Sequence, residues 1–197
     1  GTGSISIVDV VGASTRAVGG NASVGFGGQG GTGTGGNAFV QANGTLTTDA
    51  SITVGTGINV FADGTGGVGG ASDGATISAG AGGAGIGGSI LTANAADPAF
   101  NNGAYVLAQG DRGTVTTSGP VQVTAIGQGG QGGVDTGTGT GGTGGAGTGG
   151  TAQAGSFVGT GNGSVALGRV EFGNTAVIAD GRGGAGAINA TGAITGT

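Results

Sequence analysis

Short runs in which apolar and polar residues alternate with a period of two punctuate this chain. Ser4-Ile5-Ser6-Ile7-Val8-Asp9-Val10 is the first; Ser51-Ile52-Thr53-Val54, Ile58-Asn59-Val60-Phe61 and Val121-Gln122-Val123 repeat the pattern. Tyr105-Val106-Leu107, Thr114-Val115-Thr116, Val165-Ala166-Leu167, Val170-Glu171-Phe172 and Thr175-Ala176-Val177-Ile178 extend it. Alternation puts the apolar side chains on one side of an extended backbone, so each run predicts a half-buried β-strand. Gly, Asn, Asp or Ser, residues suited to turns, bound every run. No stretch carries apolar residues at helical spacing with caps, and glycine disfavours a helix interior by about 1 kcal/mol relative to alanine. The sole helical candidate is a turn or two at residues 92–96, ahead of Asp97-Pro98.

The runs recur in a larger pattern. Asn43-Gly44, Asn102-Gly103 and Asn162-Gly163 each introduce a strand, at spacings of 59 and 60 residues. Later in each unit a strand runs into a glycine cluster: Val60-Phe61-Ala62-Asp63-Gly64, Val123-Thr124-Ala125-Ile126-Gly127 and Val177-Ile178-Ala179-Asp180-Gly181. The chain thus divides into approximate units 3–43, 44–102, 103–162 and 163–197 within a single repeat-built domain. No unit holds enough large side chains for a core of its own, the condition under which repeats must stack. The predicted fold class is all-β, a β-solenoid in which each turn bonds to the next. Ile, Val, Leu and Phe would face inward, and Thr, Ser, Asn and Gln outward.

Composition changes the picture at one point. Glycine accounts for 58 of 197 residues, about four times its usual ~7% share. It is concentrated in stretches such as GQGGQGGVDTGTGTGGTGGAGTGG at 127–150, which follow an equivalent strand in each unit. A lone stretch of this kind behaves as a flexible linker, because glycine loses the most backbone entropy on ordering. Lying side by side as extended helices with three residues per turn, these stretches could bond amide to carbonyl where no side chain intervenes. Such polyglycine-II-like excursions are the expectation. Collagen is excluded because no strict Gly-X-Y triplet with abundant proline is present.

Charge and chemistry narrow the function. Only 7% of residues are charged, the formal net charge is −5, and all four basic residues are arginine, so no basic footprint for nucleic acid exists. The chain has no Cys and no His, which removes disulfides, thiolate zinc sites and the usual general base. No apolar run approaches the ~18 residues of a membrane-spanning helix. With no Met and no signal peptide, the chain is expected to be a segment of a longer protein.

Gly64-Thr65-Gly66-Gly67-Val68-Gly69 matches the dinucleotide-binding fingerprint, but no helix follows it as that function requires. Asp63, Asp73, Asp135 and Asp180 sit in glycine clusters, as in calcium-binding β-rolls, without the tandem nine-residue period of those repeats. A structural turn role is favoured, with Asp63, Asp135 and Asp180 as weak candidates for adventitious calcium; no cofactor is expected. Asp63 and Asp180, equivalent in their repeats, could stack as the paired carboxylates of a glycosidase. The scattered acids make a turn role the simpler reading, and the chain is expected not to be an enzyme. Thr45-x-Thr47, Thr114-x-Thr116 and the threonines of 136–151 could form a flat hydroxyl array of the kind that binds ice, although β-propensity explains threonine equally well.

Thr/Val/Ile strands alternating with GGVGG, GAGGAGIGG and GTGGTGGAGTGG resemble the glycine-rich repeat regions of very large secreted bacterial exoproteins. These include filamentous-haemagglutinin-like adhesins and autotransporter passengers. The likeness covers the full length and is one of composition and period. It implies a right-handed parallel β-helix, exported to the extracellular space or cell surface, acting in adhesion, aggregation or biofilm matrix. Mycobacterial glycine-rich surface proteins are a second, poorer likeness. The leading expectation is a structural fibre or adhesin segment that self-associates end to end or side by side and meets a cell-surface or matrix ligand. The alternative is a binding module recognising carbohydrate, ice or a receptor on one face.

Overall fold

The computed structural model describes residues 2–25, 27–72, 78–88, 103–157 and 167–187, among which every regular element is a strand. A first pass of the chain forms β1 (Thr2–Ile7), β2 (Val10–Ser14), β3 (Ala17–Val18), β4 (Gly33–Thr34) and β5 (Ala38–Asn43). The second forms β6 (Asp49–Val54), β7 (Gly57–Phe61), β8 (Gly64–Thr65), β9 (Gly85–Ile86) and β10 (Gly103–Gln109). β11 (Gly113–Thr117), β12 (Val121–Gln128), β13 (Gly147–Thr148) and β14 (Thr151–Phe157) make the third, and β15 (Arg169–Glu171) and β16 (Thr175–Arg182) belong to a fourth.

Every strand pair is parallel and joins one pass to the next. Four sheets result: β1-β6-β11-β15, β5-β10-β14, β4-β9-β13, and a fourth in which β2 and β3 pair with β7 and β8, these with β12, and β12 with β16. Thr2 lies opposite Asp49, Ala50 opposite Gly113 and Val121 opposite Thr175. Pass length therefore varies, yet the register keeps apolar residues on the same side, as burial of one face demands. Length is absorbed between strands: Ala17 pairs with Gly64, but Ala38 pairs with Ala104.

The core is a set of columns of medium and small side chains. Ala13, Val60, Val123 and Val177 form one column, Val40, Val106 and Ala154 another, and Ile52, Val115 and Val170 a third. Val60, Val106, Val115 and Val123 are fully buried, each worth about 1.5–3 kcal/mol against exposure. At the two ends this cover is missing: Ile5 is 55% exposed and Val177 44%.

Several sequence expectations are refined. The first apolar run is two strands, because Asp9 turns the chain: its Oδ1 accepts from Val10 N at 2.8 Å and from Thr56 Oγ1 at 3.2 Å. β5 and β14 carry no clear alternation signal, being built on alanine, glutamine and serine. The 92–96 helical candidate, Asp73, and the Asn102 and Asn162 turns lie outside the described residues.

The glycine-rich stretches carry hydrogen bonds with a period of three. Gly19, Ala22 and Gly25 donate to Thr65, Val68 and Ala71 of the next pass, at 2.8–2.9 Å. Gly66, Gly69 and Ser72 donate likewise to Gln128, Gln131 and Val134. The following residue in each triplet bonds sideways, between outgoing and returning stretches: Gly67 to Gly31, Gly70 to Gly28, Gly83 to Gly67, Gly130 to Gly83 and Gly133 to Gly80. The third residue faces outward, as Val68, Gln131 and Val134 do. Three residues per turn is the repeat of an extended threefold helix. Glycine is required sterically, since a Cβ on Gly67, Gly83 or Gly130 would stand closer than 3.0 Å to a neighbouring carbonyl oxygen.

Candidate functional site

The sheet containing β12 presents an outer face whose polar columns follow from the same alternation. On β7, Ile58 and Val60 point inward, and Asn59 and Phe61 outward; past the bend, Asp63 and Thr65 continue the outer set. Register then aligns Arg16, Asp63, Ile126 and Asp180 in one outer column, beside a second made of Val18, Thr65, Gln128 and Arg182. Between them lies a groove of about 310 Å³, lined by Arg16, Val18, Thr65, Ile126, Gln128 and Arg182 and backed by Ala17, Asp63 and Gly64. Each pass contributes, so the groove exists only when the passes are stacked.

Two ion pairs frame it. Arg16 Nε meets Asp63 Oδ2 at 3.2 Å, and its guanidinium lies 4.2 Å over the Phe61 ring. Asp63 Oδ1 accepts from Thr124 Oγ1 at 2.8 Å and from Ile126 N at 2.9 Å. Both of its oxygens are thus engaged by the protein. Arg182 Nε meets Asp180 Oδ2 at 2.6 Å. Arg112 with Asp49, at 3.1 Å, and Arg169 with Glu171 are the other ion pairs among the described residues, leaving each arginine paired on the surface, where such pairs contribute only about 0–1 kcal/mol.

The proposed stack of Asp63 on Asp180 does not form, because Ile126 stands between them in the column. The two carboxylates are two strand spacings apart, about 9.5 Å, and each is paired with an arginine. Asp135 lies elsewhere, at the far end of the glycine stretches. It is fully buried opposite Ser72, and its Oδ1 accepts from Gly137 N at 2.6 Å. Among the described residues no three His, Cys, Asp or Glu side chains gather as a metal site.

The threonines are sorted by local geometry. Thr45 makes a turn, its Oγ1 accepting from Thr47 N and Thr48 N. Thr114 and Thr116 sit in register with Ser51 and Thr53, and these with Ser4 and Ser6, forming two outward hydroxyl columns. Thr140 Oγ1 donates to Ser78 Oγ at 2.9 Å on the returning glycine stretch. The groove itself escaped sequence reasoning: its signal would have been the recurrence of a polar residue four positions past Phe61, Thr124 and Ile178 (Thr65, Gln128 and Arg182), with Asp63 and Asp180 two positions past the first and last. No helix among the described residues is long and apolar enough to cross a membrane.

No family model, curated protein or solved structure gives a significant match to this chain.

Proposed function

We propose that the chain is a segment of a secreted β-solenoid fibre or adhesin, acting at the cell surface in adhesion, aggregation or matrix formation, with a structural and not a catalytic role. The observation that carries this reading is the common register: strands and glycine stretches of each pass bond to the next with the same partner order. We take the passes to wind right-handed, as parallel crossover connections overwhelmingly do, and the glycine stretches to pack as a polyglycine-II-like array against one side of the coil. Among the described residues β1 pairs with β6 alone, and β15 with β11 alone, so each end presents an edge that another chain or a further coil can extend. A cavity of about 270 Å³ opens at the first end, lined by Ile5, Ala42 and Ile52 among others, and a stacked coil would close it. Low charge, with every arginine already paired, reduces repulsion between copies, and the acidic balance disfavours nucleic acid as a partner.

Electron microscopy of the purified chain, with X-ray diffraction from an oriented sample, tests this. Uniform unbranched rods with a meridional reflection near 4.7–4.8 Å, the spacing of strands lying across the axis, are expected. Compact monodisperse particles at high concentration would contradict self-association.

A further inference from the structure

We propose that the groove between Arg16 and Arg182 on the outer face of β12 is a binding site for a neutral oligosaccharide. Its charges come as two internal pairs, Arg16 with Asp63 and Arg182 with Asp180, so the site carries no net charge. A polyanion would gain from the arginines but meet Asp63, Asp180 and a chain of net charge −5; a polycation would meet the guanidinium groups. A neutral ligand rich in hydroxyls faces neither penalty.

The hydrogen-bonding inventory matches hydroxyl groups, which donate and accept at once. Each guanidinium has five N–H donors, and both arginines hold their acid through Nε, with no hydrogen bond from their terminal nitrogens among the described residues. The Thr65 hydroxyl and Gln128 amide supply both donors and acceptors and make no hydrogen bond among the described residues. Ile126 and Val18 give the groove apolar patches for the C–H faces of a sugar ring. Preorganisation is built in: Asp63 is fixed by two hydrogen bonds, from Thr124 Oγ1 and Ile126 N, and in turn holds Arg16, whose guanidinium lies over Phe61. Side chains already ordered spare the ligand part of the side-chain entropy that binding otherwise costs. A volume of about 310 Å³ is at the small end of ligand sites and suits one or two sugar rings of a longer chain crossing the rungs.

Nitrogen-15 NMR titration of the whole chain with cellohexaose, maltohexaose and xylohexaose, and with hexagalacturonate as the acidic comparison, tests the site. The proposal expects saturable shifts at Arg16, Thr65, Gln128 and Arg182 with at least one neutral probe, and weaker binding of hexagalacturonate. Gln128→Ala should lower that affinity at least about ten-fold, or about 1.4 kcal/mol, and leave the spectrum otherwise native because the Gln128 side chain makes no hydrogen bond among the described residues and alanine keeps its backbone pairing. Arg182→Ala should act in the same direction. No saturable shift with any neutral probe, shifts located elsewhere, tighter binding of hexagalacturonate, or an affinity indifferent to both substitutions would overturn it. The fibre reading stands or falls separately, on the rods and their diffraction.

Discussion

Gly130 and Gly12 show how differently one residue type is used. A methyl group on Gly130 would collide with the carbonyl oxygen of Gly67, whereas one on Gly12 meets nothing within 4 Å. Gly130→Ala is expected to destabilise by about 1–3 kcal/mol, the usual consequence of overpacking. Gly12→Ala should stay within about 0.5 kcal/mol. Denaturant melts of both variants provide the comparison. Tyr105 supplies a second residue-scale test. It is 1% exposed, and burial raises its phenol pKa above the usual 10.0, against a smaller lowering by Thr151. Raised in the folded state, this pKa means that stability is fully present below pH 10 and falls as pH climbs through the folded value, where unfolding releases the proton. Because Tyr105 is the sole tyrosine, tyrosinate absorbance should appear together with loss of structure, and Tyr105→Phe should flatten the alkaline decline. Sequence could not reveal the fixing of Asp63. It showed an Asp-Gly corner, but the Thr124 and Ile126 partners lie 61 and 63 residues away.

Among the elements, strands rich in valine and isoleucine were legible because their alternation is strong; β7 and β12 are examples. β5 and β14 were not, since alanine and glutamine blur the difference between inward and outward positions. The glycine stretches pose the harder question, because composition alone fits a loose linker as well as an ordered array. Their period-three bonding separates positions that sequence treats alike. Gln131 points outward and its N–H makes no hydrogen bond among the described residues, while Gly132 donates to Ala185 O at 3.0 Å. Proline removes the N–H and holds φ near −65°, close to the extended threefold helix. Gln131→Pro should therefore be tolerated, or stabilise by up to about 1 kcal/mol through the unfolded chain. Gly132→Pro should destabilise by about 1–3 kcal/mol, having lost a buried bond and left Ala185 O unpaired. Thermal melts of the pair decide it; equal effects would mean that the stretch has no fixed register.

For the molecule as a whole, the parallel stacking of passes and the glycine array support one another: the strands set the register in which glycine stretches meet, and the stretches fill the side that the sparse apolar residues cannot. Stacking was anticipated from the shortage of large side chains in any one unit. The groove was not, because its two columns draw on residues spread from Arg16 to Arg182 that only the pairing brings together. The central claim, that the glycine stretches are hydrogen-bonded structure, is tested most directly by amide hydrogen exchange of the native chain. Gly129, Gly130, Gly132, Gly133, Gly142 and Gly145 should exchange at least about a hundred-fold more slowly than in an unfolded chain, while Gln131 and Thr143, whose amides make no hydrogen bond among the described residues, exchange fast. Uniform, unprotected exchange across 129–146 would contradict it.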